Sequence, residues 1–156
     1  MDNPALLTPS SLLERWQGHR RLTRATIERF PIEHLFSFQP APPMRAFGAM
    51  MIEVVGLVHP ILNGVETGRF YWRSTPTDIH SKGALLEAWD ENTAFIEATF
   101  SRIPATRWLA REVDSGVEEF IVDYVLNQVD NEIHHRAQGM VYLRLLGLEP
   151  PAFADR

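Results

Sequence analysis

The stretch VEEFIVDYVLNQVDNEIHHRAQGMVYLRLLGLEPP, residues 117–151, decides the fold of this chain. Its apolar side chains recur every three or four residues, the spacing that places them on one face of an α-helix. Gly147 stands where a helix commonly ends in a left-handed residue, and Pro150 and Pro151 prevent continuation. The spacing therefore predicts a long helix over residues 117–146.

Two earlier helices are predicted from the residues at which they begin. The hydroxyl of Thr8 precedes a proline at a first-turn position, and helical spacing then continues over residues 9–29. Ser81 precedes a similar pattern that runs to about Arg102. Serine and threonine are preferred at these positions because their oxygens accept hydrogen bonds from free backbone amides.

A further helix is predicted to begin near Arg45. Pro60 falls in its last turns and should kink or end it near Val58, because proline lacks the amide hydrogen that a helix needs. The preceding residues 31–43 contain four prolines and are expected to form a connector without helix. A long crossing over residues 63–80 follows.

These helices predict an all-α fold in a single domain over residues 1–156. No convincing strand alternation occurs, and Asp114-Ser115-Gly116 is typical of a turn before the last helix. The long crossover between the second and third helices predicts a four-helix bundle in up-down-down-up order. The aromatic run Phe70-Tyr71-Trp72 in that crossover either covers a pocket or packs between subunits.

Composition excludes several classes of function. The chain has 156 residues, and 15 basic against 20 acidic residues give a net charge of −5, which disfavours binding to nucleic acid. It has no cysteine, so any metal must be held by nitrogen and oxygen ligands. We find neither a basic leader with an apolar run nor a membrane-length apolar stretch, and we expect a soluble cytoplasmic protein that binds no membrane.

The last helix has polar residues in the middle of its predicted inward face. At about 100° per residue, this face is centred on Asn131 and ends in apolar or aromatic residues, and its members are Phe120, Tyr124, Asn127, Asn131, His135, Gln138, Tyr142 and Leu145. Glu132 and Arg136 lie off it and are predicted to form an exposed ion pair. Because a buried polar group without a partner costs about 1–3 kcal/mol, the polar middle requires a metal ion, water, a ligand or hydrogen bonds from facing helices.

Polar residues on two other helices face the same interior. Glu53 lies at the border of the second helix's apolar arc, as a site residue or as a boundary carboxylate bridged to an arginine, whereas His59 lies on the opposite face. His19 falls in the apolar stripe of the first helix. Arg20 and its arginine neighbours are predicted to lie on a solvated face.

Three segments resemble the DinB superfamily of bacterial four-helix bundles. They are Phe47-Gly48 with the apolar run to Val54-Val55-Gly56, then Asn131-Glu132-Ile133-His134-His135-Arg136-Ala137-Gln138, and the ending Tyr142-Leu143-Arg144-Leu145-Leu146-Gly147-Leu148-Glu149-Pro150-Pro151. The resemblance implies an up-down-down-up bundle that is usually dimeric. It also implies a divalent metal held by one histidine of the second helix and two of the last helix at i and i+4.

This chain departs from that ligand pattern. The three positions carry Glu53, Asn131 and His135, which leaves one imidazole. With the resemblance, they predict an atypical site for one divalent metal (Zn, Ni or Mn). Four further residues are expected to line the pocket: Gln138, Tyr142, Tyr124 and His19.

Two functions follow as hypotheses. Family members of known activity are thiol-dependent transferases or isomerases, so the first is a divalent-metal-dependent, thiol-linked transferase or hydrolase. The alternative is a metal-free, non-catalytic, dimeric bundle that binds a small molecule or serves in a stress response. In that case Glu53 would hydrogen-bond directly to Asn131 or His135. Both hypotheses predict a homodimer that binds no nucleic acid. The first predicts a small-molecule substrate, whereas in the second the pocket either binds a small molecule or is only a hydrogen-bonded core layer.

Overall fold

The computed structural model describes residues 7–71, 76–114 and 116–156, which are mostly helical. The five helices are α1 (Pro9–Arg29), α2 (Ile32–Leu35), α3 (Phe47–Thr67), α4 (Lys82–Phe100) and α5 (Ile121–Leu145). A 3₁₀ turn at Ala105–Arg107 leads to two strands, β1 (Arg111–Asp114) and β2 (Val117–Phe120). Trp72, the last residue of the aromatic run, lies outside the described residues.

The predicted helix starts at Thr8 and Ser81 are confirmed. Thr8 Oγ1 accepts a hydrogen bond from the Ser11 amide at 3.1 Å, and Ser11 Oγ accepts one from the Thr8 amide at 2.9 Å. Ser81 Oγ accepts one from the Ala84 amide at 3.1 Å. Each bond satisfies an amide that the first turn of a helix leaves free.

The four long helices each pack against two of the others: α1 and α3 both pack against α4 and α5. Contacts between α1 and α4 run in opposite chain order, from Gln17 with Thr93 to Phe30 with Lys82. Contacts between α3 and α4 run in the same order, from Val55 with Asn92 to Glu66 with Arg102. The contacts of α5 with α3 run in opposite order, since Val54 meets Gln128 and Arg45 meets Tyr142.

The core consists of two apolar clusters with polar residues between them. One cluster includes Leu12, Trp16, Phe100 and Val125, and the other includes Phe30, Phe47, Trp89 and Tyr142. Burying each large apolar side chain stabilises the fold by roughly 1.5–3 kcal/mol. Most of the buried polar residues fall between these clusters along the helices, among them His19, Arg20, Asn92, Glu132 and Arg136.

The prediction that the last helix begins at residue 117 is wrong. Residues 117–120 instead pair antiparallel with 111–114, with Arg111 opposite Phe120 and Glu112 opposite Glu119. Gly116, at a φ of 84°, reverses the chain between the strands. Four-residue strands are too short to show a clear alternation, and for this reason the hairpin was not predicted.

Of the two outcomes expected at Pro60, a kink or an end of α3 near Val58, the early end is wrong, because the helix continues through Pro60 to Thr67. Val58, Leu62 and Val65 are fully buried. Their burial outweighs the roughly 3 kcal/mol that an internal proline costs. The connector before α3 likewise contains a short helix, Ile32–Leu35, where none was expected.

By length and composition α3 could cross a membrane, since its mean hydropathy over 18 residues is 1.4. However, 61% of that window is buried inside the protein. Burial of this kind is typical of the core helix of a soluble protein.

Substituting Gly139 tests the packing of α3 against α5. An added Cβ would lie 2.4 Å from Cε2 of Phe47, a fully buried ring stacked on Phe30. We therefore expect Gly139→Ala to lower the free energy of unfolding by about 1–3 kcal/mol, measured by urea denaturation.

Gly83→Ala is the matched control. Among the described residues, an added Cβ there comes within 4 Å of Ser81 Oγ alone, at 3.9 Å, and the residue is exposed near the start of α4. This variant should be neutral or up to about 1 kcal/mol more stable. Equal effects of the two substitutions would contradict the packing described here.

Candidate functional site

The inward face of α5 differs from the predicted one. Glu132 and Arg136 are buried, whereas Asn127 is exposed and Leu145 is 61% exposed. The buried arc is centred roughly 80° from Asn131, at 100° per residue. The predicted exposed ion pair is therefore wrong. Hydrophobic periodicity treats charged residues as surface residues, but here α1 supplies their partners.

Glu132 is fully buried between α1 and α5. Its carboxylate accepts hydrogen bonds from Thr23 Oγ1 at 2.7 Å and from Trp16 Nε1 at 3.2 Å, and Arg20 Nη1 lies 3.5 Å away. These groups replace the water that the carboxylate loses on burial.

Arg20, expected on a solvated face, is also buried. Its guanidinium lies 3.3 Å from the ring centroid of Trp89 and donates to the Trp89 carbonyl at 2.8 Å and to Thr93 Oγ1 at 3.0 Å. Burial lowers the pKa of Arg20 to about 10, and the charge of Glu132 opposes this shift. Arg20 thus remains a cation at neutral pH and compensates the buried carboxylate.

His19, which was expected to line the pocket with Glu53, contacts Arg136 of α5. Arg136 Nη2 lies 3.2 Å from His19 Nδ1, and Arg136 Nη1 donates to the His19 carbonyl at 3.3 Å. Burial, followed by the charges of Arg136, Arg15 and Arg156, lowers the pKa of His19 to about 4. The imidazole is therefore neutral at pH 7, with Nδ1 as the acceptor.

On the other side of α5, His135 meets Glu53 of α3. His135 Nε2 lies 3.3 Å from Glu53 Oε1, and the second oxygen of that carboxylate is bonded to Arg45 Nη1. Arg45 Nη2 lies 3.5 Å from His135 Nε2. Arg45, Glu53 and His135 form one cluster, which we call the α3–α5 cluster.

The protonation states in this cluster follow from its electrostatics. Burial raises the pKa of Glu53, but Arg45 and then His135 more than offset this, so the pKa lies below its ordinary value. Burial lowers the pKa of His135, an effect opposed by Glu53 and reinforced by Arg45 and His134. An ionised carboxylate only accepts hydrogen bonds, so the neutral His135 donates through Nε2–H.

The other predicted site residues are placed as follows. Asn131 is half-buried; its Nδ2, like His135 Nδ1, has no hydrogen-bond partner in the described part of the chain. The Tyr142 hydroxyl donates to the Arg45 carbonyl at 3.1 Å. Gln138 Nε2 lies 2.9 Å from the exposed His134, and the Tyr124 ring packs 4.3 Å from that of Phe70. The structure thus brings Glu53, His135 and Tyr142 around Arg45, while Gln138, Tyr124 and His19 contact other groups.

Arg45 is the site residue that sequence reasoning missed. It lies before α3, eight positions from Glu53, so helical spacing does not place it. The sequence indicated this residue only through the alternative in which Glu53 forms an ion pair with an arginine, and it did not identify that arginine.

The side chains present do not fit a three-histidine metal site. The carboxylate of Glu53 is bonded to a guanidinium, and a neutral amide such as Asn131 is a poor ligand. Within residues 7–71, 76–114 and 116–156, no three His, Cys, Asp or Glu side chains are grouped so that they could hold a metal ion. Metal binding by Glu53, Asn131 and His135 stays an untested prediction.

We expect Glu132→Gln to lower the free energy of unfolding by about 3–5 kcal/mol, because it leaves Arg20 buried without a counter-charge. Urea denaturation at pH 7 measures the effect. Glu118→Gln is the control: this glutamate is exposed and bridged to Arg111, and its loss should cost less than about 1 kcal/mol. Similar losses in both variants would contradict the role of Glu132.

His19 makes stability depend on pH. Its pKa is about 4 in the folded chain and 6.5 ordinarily, so between these values the unfolded chain binds more protons. The stabilisation is present above pH 6.5 and lost as the pH falls toward 4, with a slope of at most about 1.4 kcal/mol per pH unit. His19→Asn should flatten the curve of unfolding free energy against pH in this window.

His80→Asn, at an exposed connector position, serves as its control. Equal slopes for the His19 variant, the control and the parent would count against the buried neutral imidazole. Some slope should persist in the His19 variant because the pKa of His135 is lowered as well.

Two solved structures have a similar fold. A DinB-like protein from Bacillus cereus ATCC 10987 superposes with a TM-score of 0.75 at 22% identity, over 92% of this chain and 95% of that one. A DinB-like protein from Bacillus subtilis gives a TM-score of 0.74 at 18% identity, over 91% of this chain and 96% of that one. At such identities the likeness shows the fold alone.

Sequence comparison gives the family. No curated protein matches the chain significantly. The DinB family model matches residues 1–155, almost the whole length. The chain therefore belongs to the DinB family.

Proposed function

We propose that this DinB-family chain is a metal-independent, non-catalytic bundle that binds a small anionic molecule at the α3–α5 cluster. The observation that carries the proposal is the direct contact of Glu53 with His135, at 3.3 Å, beside Arg45. This is the contact expected for the metal-free alternative.

The lone pairs and charges of the cluster support metal independence. One carboxylate oxygen of Glu53 accepts from Arg45 and the other from His135. The charges of Glu53 and Arg45 cancel, and His135 is neutral. A divalent ion entering beside Arg45 would meet a like charge and ligands already engaged.

Arg45 supports the choice of an anionic ligand. Its side chain is 48% exposed, and that of Glu53 is 32% exposed, so the cluster is accessible to solvent. A guanidinium has five N–H donors in a planar fork, more than Glu53 occupies. The free donors suit a carboxylate or a phosphate group, which such a fork binds with two parallel hydrogen bonds.

We also infer that the four long helices form an up-down-down-up bundle. The order of contacts between α1 and α4, α3 and α4, and α3 and α5 supports it. A homodimer stays a prediction, which light scattering of the purified chain would test.

Metal content and anion binding together test the proposal. Protein purified without chelator should contain far less than one divalent metal ion per chain by elemental analysis. After EDTA treatment, titration with inorganic phosphate should shift the Arg45 side-chain Nε–H signal in NMR spectra with saturation, because the guanidinium donates to the anion.

Arg144 provides the matched control, since it is an exposed arginine of α5 whose side chain donates to the Met140 carbonyl of its own helix. Its Nε–H signal should move little. Equal shifts at the two arginines would indicate non-specific association and refute the anion site. About one metal ion per chain, lost in His135→Ala, would instead favour the divalent-metal-dependent, thiol-linked transferase or hydrolase.

A further inference from the structure

Two potential metal ligands converge where the guanidinium of Arg45 lies. Glu53 Oε1 and His135 Nε2 are 3.3 Å apart, and Arg45 contacts both residues, through a hydrogen bond to Glu53 and at 3.5 Å from His135 Nε2. A carboxylate oxygen and an imidazole nitrogen are ligands that zinc, cobalt and nickel accept. In this chain a side-chain cation neutralises the pair instead.

We propose that Arg45 is the residue that excludes divalent cations from Glu53 and His135, and that its removal creates a divalent metal site there. The inference deepens the proposed function, because it rests on the metal independence of the wild-type chain. It assigns to one residue outside α3 the charge repulsion and the engaged carboxylate that keep an ion from this pair of ligands.

The exclusion has two physical components. A positive charge on Arg45, next to Glu53 and His135, repels an ion of the same sign. Arg45 also donates a hydrogen bond to one carboxylate oxygen of Glu53, and an ion would need that oxygen as a ligand. An apolar side chain at position 45 would remove both obstacles.

Asn131 is a potential third ligand. It precedes His135 by four positions on α5, so both side chains leave the helix on the same face about one turn apart. Asn131 Nδ2 makes no hydrogen bond with any described residue. Turning the amide so that its oxygen faces an ion beside His135 would therefore break no Nδ2 hydrogen bond with a described residue, although a neutral amide adds less affinity than a charged ligand would.

Arg45→Met tests the proposal, since methionine keeps an unbranched side chain and removes the charge. The probe is Co²⁺ alone, followed by its visible absorption and by elemental analysis after gel filtration. We expect the variant to bind about one cobalt ion per chain, about tenfold or more tighter than the wild type, because a like charge is removed. Circular dichroism and thermal unfolding first establish that the variant is folded; Arg45→Gln is the substitute if it is not.

Two further variants make the result specific. Arg45→Met combined with His135→Ala should lose the gained binding, and Arg144→Met, which removes an arginine far from Glu53 in sequence, should bind cobalt no better than the wild type. Binding by Arg45→Met no tighter than by the wild type would overturn the inference, as would a gain that persists without His135.

The outcomes separate this inference from the proposed function. A wild-type chain that already contains about one metal ion refutes the metal independence on which both depend. If the wild-type chain contains no metal and the Arg45→Met variant also binds no cobalt, only the role of Arg45 is refuted.

Discussion

The carboxylate of Glu132, buried between α1 and α5, sets the relative rotation of these helices. It accepts hydrogen bonds from Trp16 and Thr23, and the cation of Arg20 lies 3.5 Å away. A buried carboxylate is tolerated only where partners replace its lost water, so other rotations of α5 are strongly disfavoured. Because His135 lies three positions further along α5, the same rotation directs it toward Glu53 of α3.

The polar groups on the two sides of α5 therefore differ in their exposure to solvent. Toward α1, the polar groups are buried and mutually compensated, and they contribute to the folded state. Toward α3, the side chains of Arg45 and Glu53 are partly exposed, and the anion binding that we propose rests on them. The fold is that of the DinB-like Bacillus proteins, whereas the chemistry depends on three side chains, which agrees with the general independence of fold and function.

Much of the fold could be predicted because its signals are local. The oxygens of Thr8 and Ser81 bond to amides three residues away, and such short-range contacts are visible in the sequence. The hairpin over residues 111–120 was missed because its strands are short. An early end was one of the two outcomes predicted for α3, because the cost of Pro60 was weighed without the burial around it. Glu53 contacts His135, and an arginine is bridged to Glu53, as one of the two alternatives for this residue predicted, but the sequence did not identify that arginine as Arg45.

The sequence by itself determined the starts of α1 and α4, the end of α5 and the presence of polar residues in the middle of that last helix. Only the tertiary structure decided which of these residues are buried. Trp16 and Glu132 are 116 positions apart, and no periodicity within α5 reveals that α1 supplies the partners that make burial of Glu132 favourable. Arg45 likewise reaches Glu53 from outside the helix. Caps and turns depend on neighbours in the chain, whereas burial of a charge depends on partners that only folding brings together.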